Sequence, residues 1–145
     1  MLLGLDISTS ITGATVIDES GNILFCEAWD TRNKKKFPSL YQKAAFVEKK
    51  LFELDKAYDI GYIYIEQSLQ SFRSGFSSAK TLSQLNRFNG IVSYIAAEVY
   101  LSTPIYLNVN SARKNLEIKI NRKSKETTKD QIFQWVKLQE DTKEF

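Results

Sequence analysis

Two short apolar segments decide the fold: Leu2-Leu3-Gly4-Leu5-Asp6 at the start of the chain, and Tyr62-Ile63-Tyr64-Ile65-Glu66 further along. Each has the apolar, branched and aromatic residues typical of a β-strand, and each ends in a carboxylate. If the two strands are neighbours in one sheet, Asp6 and Glu66 emerge together, and such a pair repels unless a divalent cation sits between them. The alternative for either residue alone is a strand end that turns to solvent. The matching positions of the two favour a functional site.

The segments around these two strands predict an α/β fold with a mixed five-stranded sheet. Three antiparallel strands come first, at Leu2–Asp6, Ile11–Asp18 and Ile23–Trp29. Parallel strands then follow at Ile60–Glu66 and Pro104–Val109. Flanking helices are predicted from Pro38 to Tyr58, from Ala79 to Tyr100, from a cap at Asn110 or Ser111 to Ile118, and from a capping box at Thr128 to Leu138. A length of 145 residues suits a single domain over 1–145.

Composition excludes several kinds of active site. The chain has no histidine, so neither a Ser-His-Asp triad nor a histidine-ligated zinc can form. Hydrolytic chemistry would rest on carboxylates, lysines and metal ions that prefer oxygen ligands. The single cysteine, Cys26, lies in a strand-like run and is expected to be buried. Because Met1 leads directly into a strand and no apolar run approaches a membrane span, we expect a cytoplasmic protein with no membrane partner.

The net charge of +3 is unevenly placed along the chain. Basic and acidic side chains balance over residues 1–110, whereas residues 111–129 carry a basic excess. A localised basic patch suits a polyanion, and nucleic acid is the expected partner. A solvated loop is the alternative. The candidate phosphate contacts in this patch are Lys114, Lys119, Arg122, Lys123 and Lys125.

Several segments, in chain order, resemble the motifs of RuvC-type Holliday-junction resolvases. The run from Leu3 to Gly13, LGLDISTSITG, resembles their first motif, and Ile65-Glu66-Gln67 resembles their second. Leu85–Gly90 agrees with a family helix segment only at its ends, and Arg113-Lys114 stands where the family has Val-Lys. Thr128–Ile132 resembles a segment that contains an active-site lysine, here Lys129.

This resemblance implies an RNase H-like nuclease fold and a Mg²⁺-dependent endodeoxyribonuclease that cuts branched DNA, such as four-way junctions, in recombination and repair. It implies that Asp6 and Glu66 hold two Mg²⁺ ions, for which Mn²⁺ could substitute, and that Lys129 stabilises charge on the cleaved phosphate. It also implies a homodimer. The expected contact is the helix around Leu82–Tyr100, whose aromatic residues Phe88, Tyr94 and Tyr100 do not all fit on one core face.

Two further features follow from the resemblance. In the loop after Glu66, Phe72 and Phe76 flank Arg73, and the family has an aromatic there that stacks in an opened junction. Anchoring of the loop to the core is the alternative. The family also completes its site with an Asp-x-x-Asp or Asp-x-x-His pair on a C-terminal helix. Asp141 and Glu144 have that spacing but lie in a loop-like segment, so we expect the last acidic motif to lie beyond Phe145 and residues 1–145 alone to hold metal poorly.

Two other functions fit parts of the chain. The run Asp6-Ile7-Ser8-Thr9-Ser10, followed by a strand and by Asp18, also resembles the phosphate-binding opening of actin-like ATPases and sugar kinases. That fold needs two such domains around its nucleotide, which is more than this length supplies. A non-catalytic DNA-binding module of the same fold is the other alternative.

Overall fold

Five strands form one mixed sheet. β1 (Leu2–Asp6), β2 (Ile11–Ile17) and β3 (Ile23–Asp30) form an antiparallel meander. β4 (Tyr62–Glu66) pairs in parallel with β1, and β5 (Ile105–Leu107) is the outermost strand on that side. The order β3-β2-β1-β4-β5 places β1 at the centre, which confirms the predicted α/β fold class.

Four helices accompany the sheet in this computed structural model, which describes residues 1–67 and 79–139. They are α1 (Leu40–Ala57), α2 (Ala79–Tyr100), α3 (Val109–Asn115) and α4 (Thr128–Lys137). The chain divides into two units, Met1–Tyr106 and Leu107–Phe145, so the single domain expected over 1–145 stays a prediction. None of the helices in the described part of the chain is both long and apolar enough to cross a membrane.

The core lies on one face of the sheet. Leu3 and Leu5 of β1 and Ile63 and Ile65 of β4 alternate with residues of the opposite face, as the period of a strand requires. The apolar stripes of two helices cover this face and belong to the same cluster: Ala44, Val47, Leu51 and Leu54 of α1, and Phe88, Val92 and Ala96 of α2. Burying a side chain of this size contributes about 1.5–3 kcal/mol.

The helix α2 begins at Ala79 as predicted, whereas the starts of the other three described helices differ from the predicted ones by one to three residues. Ser39, not Pro38, precedes the first turn of α1, and its side chain accepts a hydrogen bond from the Tyr41 amide. Asn108 caps α3, because its carboxamide oxygen reaches the two amides that follow the first helical residue. Thr127, not Thr128, forms the capping box of α4 with Asp130, and these bonds lower the pKa of that carboxyl. Sequence spacing identifies a capping residue less securely than the helix it begins.

Two other expectations, the start of β4 and the burial of Cys26, are wrong, and a third is confirmed. β4 begins at Tyr62 rather than Ile60, although Ile60 is buried beside the strand. Cys26 is exposed, because the alternation of β3 directs Phe25 and Trp29 to the core face and Cys26 to the opposite face. On α2, Phe88 and Tyr100 are buried while Tyr94 is 65% exposed, so the predicted split among the three aromatics is confirmed.

The packing of α1 against α2 includes one buried polar contact. The Tyr100 hydroxyl donates a 2.8 Å hydrogen bond to the Leu51 carbonyl oxygen. Burial, with a smaller contribution from Asp55, raises the pKa of the Tyr100 phenol above its usual range. The phenol therefore stays neutral in the folded protein at pH values where it would ionise in the unfolded chain.

Replacement of this phenol tests the contact. Tyr100→Phe should lower the free energy of unfolding at pH 7 by about 1 kcal/mol, the net worth of one hydrogen bond. Because the folded pKa is raised, the tyrosine's contribution is complete below the unfolded pKa of about 10 and is lost as pH rises beyond it. Urea unfolding should therefore show the difference between wild type and variant narrowing above that pH. Tyr94→Phe on the same helix is the control, and a difference that stays constant with pH would contradict the assignment.

Candidate functional site

Asp6 and Glu66 occupy equivalent positions at one edge of the sheet. The parallel register pairs Leu3 with Ile63 and Leu5 with Ile65, so the next residue of each strand is the carboxylate. Both side chains are exposed, and both line one pocket. The structure thus brings together the two residues on which the predicted metal site depends. Their metal-binding and catalytic roles stay predictions.

The pocket is small and mostly bordered by residues next to these carboxylates. Ile7 and Ser8 follow Asp6, Gln67 follows Glu66, and α2 contributes Leu85 and Asn89. Its volume of about 180 Å³ compares with about 30 Å³ for one water and about 300–1,000 Å³ for the pockets of organic ligands. These dimensions fit hydrated ions better than a nucleotide.

Buried hydroxyls fix the loop that follows Asp6. Thr12 donates to the Ser8 carbonyl oxygen at 3.3 Å, and the Thr31 hydroxyl lies 3.3 Å from the Thr9 carbonyl oxygen and 3.2 Å from that of Ser10. Both threonines are 1% exposed. The Thr31 amide also donates to the Ser10 carbonyl oxygen at 2.8 Å. The backbone beside the carboxylate is therefore held by hydrogen bonds that are shielded from water.

Gly13 borders Asp6, and a lysine of α1 contacts the loop that follows it. Gly13 of β2 lies directly across from Asp6, and a Cβ atom added at Gly13 would stand 3.7 Å from the Asp6 Cβ. Any larger side chain at that position would therefore extend beside the carboxylate. On the other side of the loop, the Lys43 ammonium of α1 donates a hydrogen bond to the Thr9 carbonyl oxygen.

Sequence reasoning missed a buried polar pair on α2. Asn89 and Ser93 are 6% and 5% exposed, and the Ser93 hydroxyl donates to the Asn89 carboxamide oxygen at 3.4 Å. Polar groups cost free energy to bury, and this pair sits within an otherwise apolar stripe. Asn89 also lines the pocket. Two polar residues four apart in the apolar stripe of a helix were the sequence signal that could have identified this pair.

The oxygen atoms around the pocket suit a hard cation. Asp6 and Glu66 supply carboxylates, and Ser8 and Gln67 add neutral oxygens. Within residues 1–67 and 79–139, no three or more Cys, Asp, Glu or His side chains are grouped so that they could hold a metal ion. Among the described residues, two carboxylates, those of Asp6 and Glu66, therefore line this pocket.

The predicted DNA contacts of the basic patch lie in the unit Leu107–Phe145. Lys114 is on α3, Lys129 is in the first turn of α4, and the others are in the segment between these helices. All are exposed, and no ion pair involves them in the described ranges. Members in the connecting segment are Lys119, Arg122, Lys123 and Lys125.

A single side chain of α4 orders this connecting segment. The Gln131 carboxamide accepts from the Asn121 amide at 2.8 Å and donates to the carbonyl oxygens of Asn121 and Glu126, at 3.0 and 3.2 Å. The lysines and arginine between them are therefore carried on backbone of defined conformation. Fixed cations lose less entropy on binding a polyanion than mobile ones do.

Some predicted residues fall outside the described ranges. Phe72, Arg73 and Phe76 belong to 68–78, and Asp141 and Glu144 belong to 140–145. Their predicted roles stay predictions.

Comparison with known proteins identifies the fold. No protein-family model matches the chain, and no curated protein matches it in sequence. Among solved structures, Thermus thermophilus RuvC in complex with a Holliday junction substrate is similar, with a TM-score of 0.65 over 79% of this chain and 68% of that chain at 13% identity. This chain has the fold of RuvC. The resemblance predicted from its motifs is thus confirmed at the level of the fold.

Two further structures agree with this result. A second Thermus thermophilus RuvC structure has a TM-score of 0.60, covering 94% of this chain and 77% of that chain at 13% identity. The crystal structure of the yeast mitochondrial Holliday junction resolvase has a TM-score of 0.54, covering 85% of this chain and 56% of that chain at 16% identity. At these identities the likeness to RuvC and its yeast counterpart establishes the RNase H-like architecture and leaves activity to be argued from the site.

Proposed function

We propose that the chain is a metal-dependent endonuclease that cuts branched DNA, with Asp6 and Glu66 as its metal ligands. The observation that carries the proposal is the shared pocket of these two carboxylates at the tips of adjacent parallel strands. Their positions on a fold shared with RuvC bound to a Holliday junction substrate favour DNA as the substrate.

The donor set fits Mg²⁺, with Mn²⁺ as a substitute, because every polar ligand near the two carboxylates is an oxygen or an amide group. Bound as a pair, such ions activate a water and stabilise the leaving oxygen of a phosphodiester. Asp6 and Glu66 would hold them, while Thr12 and Thr31 keep the Asp6 loop in place through its carbonyl oxygens. Lys129 would offset negative charge on the cleaved phosphate.

Asn89 would contribute as a positioning residue. Its side chain is nearly enclosed and is oriented by the Ser93 hydroxyl, so it reaches the pocket in a fixed conformation. A carboxamide held this way can donate to a carboxylate oxygen and restrict its rotamers without adding charge.

The basic patch would hold the arms of the DNA. Its exposed cations form no ion pair in the described part of the chain, and Gln131 orders the backbone that carries Arg122, Lys123 and Lys125. These features suit phosphate contacts, which position a substrate without reading its sequence. Lys114 on α3 would extend the same set of contacts. Arg73, with Phe72 or Phe76, is proposed to enter the opened junction.

Assembly as a homodimer would supply two active sites for the two symmetric strands of a four-way junction. The proposed contact is the exposed surface of α2 around Tyr94, which lies between Gly90 and Glu98 on the turns before and after it. An exposed aromatic side chain is a common centre of such contacts.

Substitution of the carboxylates tests the metal site. In the full-length protein, Asp6→Asn and Glu66→Gln should each weaken Mn²⁺ binding in titration calorimetry and lower nicking of a four-way junction by about 1,000-fold, because several kcal/mol of metal-assisted stabilisation is lost. Junction affinity without divalent ions should not fall, since each change removes a negative charge. Glu19→Gln, in the turn after β2 at the other edge of the sheet, is the control.

The outcomes separate the proposal from its alternative. A full-length protein that binds junction DNA but neither binds Mn²⁺ nor nicks would instead be a non-catalytic DNA-binding module. Variants that nick as fast as wild type would remove Asp6 and Glu66 from the mechanism.

Charge reversal tests the basic patch. Changing Lys119, Arg122, Lys123 and Lys125 to Glu should weaken junction binding. It should also reduce the salt slope, which is the steepness with which the logarithm of the binding constant falls with the logarithm of salt concentration. The expected reduction is up to about 3.6, at about 0.9 for each lost phosphate contact. Lys49→Glu with Lys56→Glu, on the exposed side of α1, is the control. Unchanged affinity and slope would make the patch an ordinary solvated segment.

Sedimentation equilibrium tests the assembly. The wild type should be a dimer at micromolar concentration or when bound to junction DNA, and Tyr94→Arg should shift it towards monomer because a charge cannot be buried unpaired at the contact. Tyr41→Arg, at a 73% exposed position of α1, should have no effect. A wild-type monomer that persists on junction DNA would contradict the proposal.

A further inference from the structure

A second group of cations lies at the same edge of the sheet as the carboxylate pocket. Residues 31–37, in the connection between β3 and α1, contain Arg32, Lys34, Lys35 and Lys36 and are here named the basic loop. β3 ends at Asp30, which pairs with Ile11 at the start of β2, and β2 in turn pairs with β1 so that Gly13 faces Asp6. The basic loop therefore begins two strands away from Asp6, about 10 Å at the usual strand spacing of about 4.8 Å.

Hydrogen bonds connect the basic loop directly to the loop that follows Asp6. Thr31, its first residue, contacts the carbonyl oxygens of Thr9 and Ser10 through its hydroxyl and that of Ser10 through its amide. A displacement of one loop would therefore disturb the other. The cations and the pocket belong to one ordered surface.

The basic loop has a defined conformation. Thr31 and Phe37 are buried at its two ends, and the Asn33 carboxamide oxygen accepts from the amides of Lys35 and Lys36, at 3.0 and 3.1 Å. The Phe37 amide closes the turn with a 2.8 Å hydrogen bond to the Asn33 carbonyl oxygen. This turn holds the intervening lysines in solvent on the outer side of the loop.

The charges of the basic loop are unequally available. Arg32 is paired with Asp30, its Nη2 atom 2.5 Å from Oδ2, and this contact holds the pKa of Asp30 at about 2. The Lys36 ammonium stands 5.2 Å from the Phe37 ring centroid and 5.6 Å from that of Phe46. Lys34 and Lys35 are exposed and form no ion pair within residues 1–67 and 79–139. Three positive charges are thus left without a carboxylate.

We propose that the basic loop is a second phosphate-binding surface, which holds the DNA strand on one side of the cleaved bond. This inference rests on the proposed function, because it takes the carboxylate pocket as the position of the cleaved phosphodiester. Duplex DNA has one phosphate per about 3.4 Å of axis on each strand, so a lateral separation of about 10 Å places the contact roughly three nucleotides from that bond.

DNA suits this surface better than a peptide partner does. Lysine ammonium groups act as hydrated point charges, and the loop's one aromatic, Phe37, is buried rather than offered as an anchor. A polyanion that passes the pocket would meet these lysines without any rearrangement of the fold. The basic patch at 111–129 would then contact phosphates elsewhere on the substrate.

A charge-matched pair of double variants tests the inference. Lys34→Gln with Lys35→Gln removes the two cations whose side chains form no ion pair within residues 1–67 and 79–139. Lys49→Gln with Lys56→Gln removes two exposed cations from α1, which runs away from this edge at about 1.5 Å per residue. Binding of a four-way junction without divalent ions is measured over a series of salt concentrations, together with hydroxyl-radical footprints.

The loop variant is expected to reduce the salt slope by about 1.8 and to weaken binding at least tenfold at low salt, since two phosphate contacts are lost. It should also lose the wild-type footprint about three nucleotides from the nicking position. The α1 variant should bind within about threefold of wild type, with the footprint intact, because screening weakens charges far from the DNA.

Each other result has a defined meaning. If the loop variant matches wild type, or weakens only as much as the α1 variant, the basic loop does not contact DNA and the inference is overturned while the proposed function stands. Weaker binding with an unchanged flanking footprint also overturns it. If the wild type itself does not bind junction DNA, the proposed function fails first.

Discussion

The parallel pairing of β1 with β4 is the constraint on which the rest of the structure depends. Its register sets Leu5 beside Ile65, so both strands bury the same face under α1 and α2 while Asp6 and Glu66 leave the core together. A slip of one residue would turn Ile63 and Ile65 out of the core, at about 1.5–3 kcal/mol for each side chain. Hydrophobic packing thus holds two carboxylates in matching positions, although their like charges repel each other.

Polar contacts then add what packing alone does not determine. Thr12 and Thr31 are as deeply buried as the apolar core, yet their hydroxyls contact the carbonyl oxygens of the loop after Asp6. An apolar residue of the same size would leave those carbonyls without these partners and the loop free to adopt other conformations. The same contacts tie that loop to the basic loop, so one small hydrogen-bonded network orders both the anionic and the cationic parts of this edge.

Much of the fold could be predicted because strong periodic patterns are local. The strand β1, the bounds of α2 and the shared edge of Asp6 and Glu66 all follow from alternation and helical spacing in short windows. The exposure of Cys26 could not be predicted, because an apolar edge strand does not reveal which of its faces is covered. The basic loop was also missed. When basic and acidic side chains are counted over residues 1–110, the lysines of this loop are balanced by acidic residues that the fold places elsewhere. The strand order, which the count does not contain, brings these cations to the edge of the sheet where the pocket lies.

The exposure of Cys26 has a practical consequence for spectroscopy. It is the one cysteine of the sequence, and it lies near the middle of β3 on the face away from the α1–α2 core. A thiol-reactive dye would therefore attach at a single known position in the native sequence, with no need for a cysteine-free background. In the described part of the chain, the Cys26 side chain accepts one weak hydrogen bond, from the Thr15 hydroxyl 3.6 Å from the sulfur, so a label there displaces little structure. Energy transfer from this position to a dye on a DNA arm would report the geometry of a complex on a rigid strand rather than on a flexible tether.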